Sequence, residues 1–167
     1  MVRYSRACLV ALMPAALLLT MTPAHAGSSN TSMLVTALSV ESCLVSATPM
    51  AFGTLQSLSG QANDSAASIT VTCTPGSAWT LSLDDGLNPN GGTRRMKAAL
   101  SNDYVPYMLY SDSARTRTWG HVNGTDTVSG TAGLLPAVLP VYGRVPGNIP
   151  AAPIGSYADT VTVTIAF

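Results

Sequence analysis

The chain has 167 residues, its eight Lys and Arg balance eight Asp and Glu, and only 10% of its residues are charged. Soluble domains usually carry about 25% charged residues. No basic stripe is present that could neutralise phosphates, so the composition argues against nucleic acid as a partner. The surface is expected to consist of Ser, Thr, Asn and Gly, which do little to keep sheet edges from pairing.

The first 26 residues have the three parts of a secretory signal peptide. Arg3 and Arg6 form a basic start, residues 7–20 are almost entirely apolar, and Ala24-His25-Ala26 supplies a small-residue cleavage site. A transmembrane anchor is the alternative, but the apolar run is shorter than the roughly 20 residues that span a bilayer. We therefore predict a signal peptide over 1–26 and an exported mature chain that starts at Gly27.

A short apolar run, residues 33–40, follows a small polar leader and precedes the first cysteine of the mature chain. It could be the first strand of the domain. It could also be a detachable strand that pairs with another chain, because it follows a flexible leader and stands outside the rest of the pattern. The two faces of such a strand would hold Met33, Val35 and Ala37 on one side and Leu34, Leu38 and Val40 on the other.

Cysteine usage agrees with export. Cys8 lies in the predicted signal peptide, so the mature chain keeps one pair, Cys43 and Cys73. A lone pair in an exported chain is by default a structural disulfide. A metal site or a catalytic thiol is the alternative, but neither C-x-x-C nor a nearby histidine supports it, and we predict the disulfide.

Strand patterns recur along the rest of the chain. Alternation of apolar and polar residues predicts strands over 68–73 and 79–83, a further candidate covers 105–110, and the clearest covers 160–167. One face of this last strand holds Val161, Val163, Ile165 and Phe167. Only residues 94–100 have a pattern compatible with a helix. Several short strands separated by Gly-, Pro- and Asn-rich stretches predict an all-β sandwich.

The inventory of reactive residues argues against an enzyme. His121 is the only histidine outside the predicted signal peptide, and no G-x-S-x-G, H-E-x-x-H or Gly-rich phosphate motif is present. His121 beside Trp119 could be a ligand or a general base, but catalysis needs a nucleophile, a base and an orienting group together. We therefore expect no catalytic residue, no cofactor, no metal and no small-molecule substrate.

Two other groups of side chains could bind a ligand. Asp84, Asp85, Asn88 and Asn90 loosely resemble a calcium loop, but they lack the bidentate Glu of that pattern, and a plain turn is the better interpretation. Aromatic side chains could line a sugar-binding surface or could instead pack in the core. These aromatic residues are Tyr107, Tyr110, Trp119 and Tyr142.

A set of short motifs occurs in a fixed order over the whole mature chain. The motifs are Cys43-Leu44-Val45-Ser46-Ala47 with Phe52-Gly53, Val71-Thr72-Cys73-Thr74 with Gly76, Leu81 to Gly86, Arg95-Met96, Tyr107 to Asp112, Trp119-Gly120, Val141 to Pro146, and Gly155 to Val163. As an ordered set they resemble the spore coat protein U family, which includes pilin subunits of archaic (Csu-type) chaperone–usher pili.

The resemblance implies an immunoglobulin-like sandwich over residues 43–167 that lacks its final strand and is completed by a donated one. Residues 27–42 would form an N-terminal extension whose run 33–40 is donated to the next subunit. The C-terminal strand with Val161, Val163, Ile165 and Phe167 would border the groove and face the chaperone.

The partners implied are a periplasmic chaperone, an outer-membrane usher and neighbouring subunits. The implied location is the periplasm and then a pilus or fimbria, with a role in adhesion or biofilm formation. A secreted or surface binding module with a complete sandwich, such as an adhesin or a carbohydrate-binding domain, is the alternative.

Overall fold

The computed structural model describes residues 27–55, 60–147, 149 and 152–167, so the predicted signal peptide lies outside the described part of the chain. The chain divides into two units, Met1–Ala37 and Leu38–Phe167. In the first unit, residues 27–37 are exposed and form no regular secondary structure. Residues 38–42 form none either, so the interpretation of residues 33–40 as the first strand of the domain is wrong.

The second unit is built from nine strands among its described residues. They are β1 (Cys43–Ala47), β2 (Asn63–Cys73), β3 (Ala78–Leu83), β4 (Arg94–Ala98), β5 (Tyr104–Tyr110), β6 (Val128–Thr131), β7 (Ala137–Val145), β8 (Tyr157–Ala158) and β9 (Val163–Ala166). The wide sheet has six strands in the order β1-β2-β7-β5-β4-β8, and the narrow sheet has three in the order β6-β3-β9. All named pairs are antiparallel. The predicted all-β, immunoglobulin-like sandwich is confirmed.

The alternating pattern of the sequence explains which side chains form the core. Every second residue of β3 is buried, including Leu81 and Leu83, and near the end of β2 Ile69 and Val71 are buried in the same alternation. Trp119 is only 1% exposed and donates its indole N–H to the Leu81 carbonyl at 3.2 Å. The core therefore lies between the two sheets and is closed by a loop tryptophan.

The sequence is compatible with a helix at residues 94–100, and this expectation is wrong. Arg94–Ala98 is strand β4, which pairs with β5 on one side and with β8 on the other. Its Arg, Met, Lys and Ala residues are good helix formers, but tertiary pairing overrides such weak local preferences. The predicted strand over 160–167 is correct in type but starts later, because β9 begins at Val163.

A disulfide joins Cys43 to Cys73, which face each other in the β1–β2 register with their Cα atoms 4.0 Å apart. Residues just before β1 are held at the same place. Thr74 donates its N–H to the Ser42 carbonyl at 2.9 Å, and its hydroxyl donates to the Val40 carbonyl at 3.3 Å. The disulfide and Thr74 thus fix the point at which the N-terminal residues enter the sandwich.

Candidate functional site

A cleft lies on the inner face of the wide sheet, where the narrow sheet does not cover it. Its volume is about 560 Å³. One wall is the segment after β1, residues 47–52, and the other is formed by residues 157–163. The sandwich is therefore open between the segment that follows β1 and the segment that leads into β9, whereas β1 and β9 themselves lie close together.

The floor of the cleft is apolar. It includes Ile69 of β2, Leu109 of β5 and Val141 of β7, whose side chains are otherwise buried in the core. Ala47 shares the inward phase of β1 with Val45, yet it is exposed where it lines the cleft. Apolar side chains of the kind found in a protein core, when they form the floor of an open cleft, are typical of a site that an apolar segment would fill.

The first wall is held by side-chain hydrogen bonds instead of a continuous strand. The Ser65 hydroxyl donates to the Ala51 carbonyl at 2.6 Å, and the Asn63 amide donates to the carbonyl of Phe52 at 3.2 Å. The side chains of Met50 and Phe52 lie against Gly143 of β7. A Cβ at position 143 would collide with both of them. Glycine at position 143 thus lets this wall pack closely on the sheet.

The second wall is held by Asp159. Its carboxylate accepts the Tyr107 hydroxyl at 2.7 Å and the Leu87 N–H at 3.0 Å. Burial, and then the neighbouring Asp159 carboxylate, raise the pKa of Tyr107, so this hydroxyl stays protonated and donates. A Cβ at Gly86 would collide with the same carboxylate, which explains a glycine with φ of 76° in the turn after β3. Asp159 therefore links the wall to the core and to that turn.

Asp84 ties the start of β9 to the end of β3. One of its carboxylate oxygens accepts the N–H of Thr162 at 2.8 Å and that of Gly86 at 3.0 Å, while its own N–H donates to the Thr162 carbonyl at 3.1 Å. Burial of the carboxyl favours the protonated form, but the hydrogen bonds from Thr162 and Gly86 outweigh it and hold the pKa of Asp84 below its ordinary value. The acidic residue predicted to sit in a turn is thus a structural acceptor.

A second opening of about 760 Å³ adjoins the cleft and shares Met50, Phe52, Met96 and Tyr157 with it. Its other lining residues lie within 51–55 and 152–156. The two openings extend the uncovered region along the inner face of the wide sheet. Their combined shape is a groove, which we call the acceptor groove.

Strand β9 borders this groove with an unpaired edge. Among the described strands it pairs with β3 alone. Val161 and Val163 line the groove, and Ile165 packs on the core farther along. Phe167 is 56% exposed and does not line the groove. Three of the four residues assigned to the C-terminal strand thus pack inward, and their contact with a chaperone stays a prediction.

The run predicted to be donated is exposed to solvent. The exposed side chains are those of Met33, Leu34, Val35, Ala37, Leu38 and Val40. An apolar run of this length without a partner is unusual, because exposed apolar surface generally marks an interaction site. Its donation to another chain stays a prediction.

The other candidate residues do not form a site. Trp119, Tyr107 and Tyr110 are buried, so the interpretation as core residues is right for these three and they offer no sugar-stacking surface. His121 is exposed, and its Nδ1 lies 3.6 Å from the Asp85 carboxylate. Within the described residues, no group of three His, Cys, Asp or Glu side chains could hold a metal ion. The same part of the chain has no helix long and apolar enough to cross a membrane.

Sequence reasoning missed the residues that shape the groove. Gly143 and Asp159 were named only as members of longer motifs, and Met50 was not singled out. The role of all three depends on contacts between distant segments. One local signal was present: Gly143 interrupts the side chains of a strand-like segment, and a glycine inside a strand often marks a close approach to the backbone.

Comparison with known proteins identifies the family. The model of the Spore Coat Protein U domain matches residues 29–164. "Protein U" of Myxococcus xanthus is 41% identical over 108 residues, which cover 60% of this chain and 58% of that protein. The chain thus spans little more than half the length of this relative.

A solved structure shares the fold. It is the crystal structure of the CsuC–CsuE chaperone–tip adhesion subunit pre-assembly complex from archaic chaperone-usher Csu pili of Acinetobacter baumannii. The match has a TM-score of 0.60 and 23% sequence identity, and it covers 77% of this chain and 40% of that chain. Since the domain model matches most of the sequence, the chain belongs to the Spore Coat Protein U domain family.

Proposed function

We propose that this protein is a structural subunit of a surface fibre that is assembled by donor-strand exchange through a chaperone–usher system. The acceptor groove would receive residues 33–40 of a neighbouring subunit. Before assembly, a periplasmic chaperone would occupy the same groove, and an outer-membrane usher would exchange the two strands. The fibre would contribute to adhesion or biofilm formation, without catalysis by the subunit itself.

The observation that carries this proposal is the open groove beside the unpaired edge of β9. An added strand would satisfy the backbone groups of that edge and cover the apolar floor at the same time. The family and the fold of the Csu complex support the proposal, and the exposed apolar run supplies a segment of suitable chemistry.

Deletion of residues 28–40 tests the proposal. The mature chain, coexpressed with a candidate chaperone, should give a ladder of polymers that survives detergent and collapses on boiling. The deletion should abolish the ladder, because the donor is lost, while the body still copurifies with the chaperone through its intact groove. A ladder that persists in the deletion variant would contradict donor-strand exchange.

A pair of charge variants tests whether the ladder depends on the apolar side chains of the run at 33–40, and not only on the presence of an N-terminal segment of the right length. Leu34→Asp/Leu38→Asp places charges on residues that would be buried, and burial of an unpaired charge is strongly unfavourable. Ser28→Asp/Ser29→Asp adds the same charges to the polar leader. The first variant should lose the ladder and the second should keep it.

A further inference from the structure

We propose that the disulfide end of the sandwich is a docking surface for the neighbouring subunit, in addition to the donated strand. This inference rests on the proposed function. The partner is a second copy of this chain, the copy whose groove receives residues 33–40. The surface comprises four exposed side chains, Leu44, Leu134, Leu135 and Val138, which we call the end patch.

The strand register places the end patch at one end of the molecule. Leu44 faces Thr72 on β2, next to the Cys43–Cys73 pair, and Val138 faces Thr70 on the other side of β2. The loop before β7 returns to the same end. The Ala132 carbonyl accepts the N–H of Gly76, and the Ala132 N–H donates to the Ser77 carbonyl, both at 2.9 Å. Leu134 and Leu135 follow in this loop.

The four side chains are unusually exposed for leucine and valine. Their exposed fractions are 91% for Leu134, 82% for Leu135, 73% for Leu44 and 64% for Val138. Several exposed aliphatic side chains at one end of a molecule are typical of an interaction site.

Apart from Glu41, which lies between Val40 and Ser42 at the disulfide end, the surroundings of the end patch carry no charge. Residues 42–63, 65–83 and 127–143 contain no Asp, Glu, Lys or Arg, although they include β1, all of β2 except Asp64, and most of β7. The charged residues of the domain lie in the rest of the chain. The centres of protein interfaces are likewise depleted of charge, because desolvating a charge is costly.

A short tether determines which partner would cover this end. The Val40 carbonyl accepts the Thr74 hydroxyl, and the Ser42 carbonyl accepts the Thr74 N–H, so the chain leaves the body beside the disulfide. From Val40 to Cys43 an extended chain spans at most about 10 Å. A neighbour that binds the run up to Val40 must therefore lie against the disulfide end and its end patch.

Hydrogen–deuterium exchange on assembled fibres tests this inference. Relative to the chaperone-bound monomer, the amides of Leu134, Leu135 and Leu44 should exchange at least roughly ten-fold more slowly in the fibre. Residues 33–40 should also become protected, since they report strand donation itself. Leu100, exposed in the connection after β4 at the opposite end, serves as the reference site.

The outcomes separate the two proposals. Protection of both 33–40 and the end patch supports the inference. Protection of 33–40 alone, with the end patch exchanging as in the monomer, overturns it while donor-strand exchange stands. No ladder and no protection of 33–40 would overturn the proposed function and, with it, this inference.

A variant pair provides a second readout. Leu134→Ser/Leu135→Ser should leave the detergent-resistant ladder unchanged but give fibres that bend more sharply in electron micrographs, since the contact between successive subunits is lost. Leu100→Ser removes a fully exposed leucine from the opposite end, away from the walls of the acceptor groove, and should leave fibre shape unchanged. Identical fibre curvature in the two variants would overturn the inference.

Discussion

Single polar residues hold the wall of the acceptor groove in place. The wall formed by residues 157–163 has little regular structure, because β8 contains only two residues and β9 starts at Val163. Asp159 and Asp84 supply what strand pairing does not, through acceptor bonds to hydroxyl and backbone groups. The stability of the groove therefore depends on a few charge-assisted hydrogen bonds.

The hydroxyl of Tyr107 offers a direct test of this wall. Tyr107→Phe removes the donor to Asp159 and leaves the ring in place, so we expect a loss of about 2 kcal/mol in the free energy of unfolding, as for a hydrogen bond to a charged group. Tyr110→Phe is the matched control. Within the described part of the chain, the Tyr110 hydroxyl is hydrogen-bonded only to the Met108 sulfur, at 3.2 Å. Urea unfolding measures both, and equal losses would contradict the role of Asp159.

The lowered pKa of Asp84 predicts how the free energy of unfolding depends on pH. Its pKa is lowered in the folded state, so the unfolded chain binds protons more readily and the stabilisation is present above the ordinary pKa of 3.8. As the pH falls from there through the lowered folded value, this stabilisation is lost. Asp84→Asn should flatten the decline of unfolding free energy in this range. Parallel curves for wild type and Asp84→Asn would argue against this role.

At the scale of elements, strand β1 depends on a covalent link. It pairs with β2 only, among the described strands, and five residues are a short edge. Beyond it, the segment at 48–52 is held mainly by Ser65, Asn63 and Ser68. The disulfide fixes the end of β1 from which the N-terminal residues depart, so one wall of the groove and the run at 33–40 share a single anchor.

Replacing both cysteines tests this anchor. Cys43→Ser/Cys73→Ser should lower the unfolding free energy by about 3 kcal/mol, which is typical for a bridge that closes a loop of this size. The reason is the larger conformational freedom of the unfolded chain. Unfolding of the wild type with and without a reductant is the internal control, and the reduced protein should match the variant. An unchanged midpoint after reduction would show that β1 needs no covalent link.

Elements with a clear local pattern were predictable, and elements set by their neighbours were not. Alternation predicted β3 and the second half of β2, because one face of each is buried, and β5 was a further candidate. Strand β4 has helix-forming residues and becomes a strand only because β5 and β8 flank it. The groove walls are less predictable still, since Asp159 and Gly143 act through contacts with residues far away in sequence.

At the scale of the whole molecule, the two sheets are unequal. Six strands face three, and the difference leaves apolar floor residues beneath an opening. A sandwich of this kind gains stability from any strand that covers the floor and pairs with β9. The exposed run at 33–40 has the length of a typical strand. Its two faces differ, since the face with Leu34, Leu38 and Val40 carries more aliphatic surface than the one with Met33, Val35 and Ala37.

A peptide complementation experiment therefore tests both the incompleteness of the sandwich and the orientation of its missing strand. A peptide of residues 31–42, added to the body that lacks residues 28–40, should raise the melting temperature in a concentration-dependent way. At 100 times its dissociation constant the peptide would add about 2.7 kcal/mol to the stability. If the body is already a complete sandwich, the wild-type peptide will have no effect.

Two variant peptides then decide the orientation. Because burying branched aliphatic side chains contributes most to binding, we expect Leu34, Leu38 and Val40 to face the floor. A peptide with Asp at these three positions should lose its effect, since it would bury charges on the apolar floor. A peptide with Asp at 33, 35 and 37 should keep much of it, because those side chains would point to solvent. The opposite ranking would place Met33, Val35 and Ala37 on the floor, and an equal loss would mean that both faces are buried.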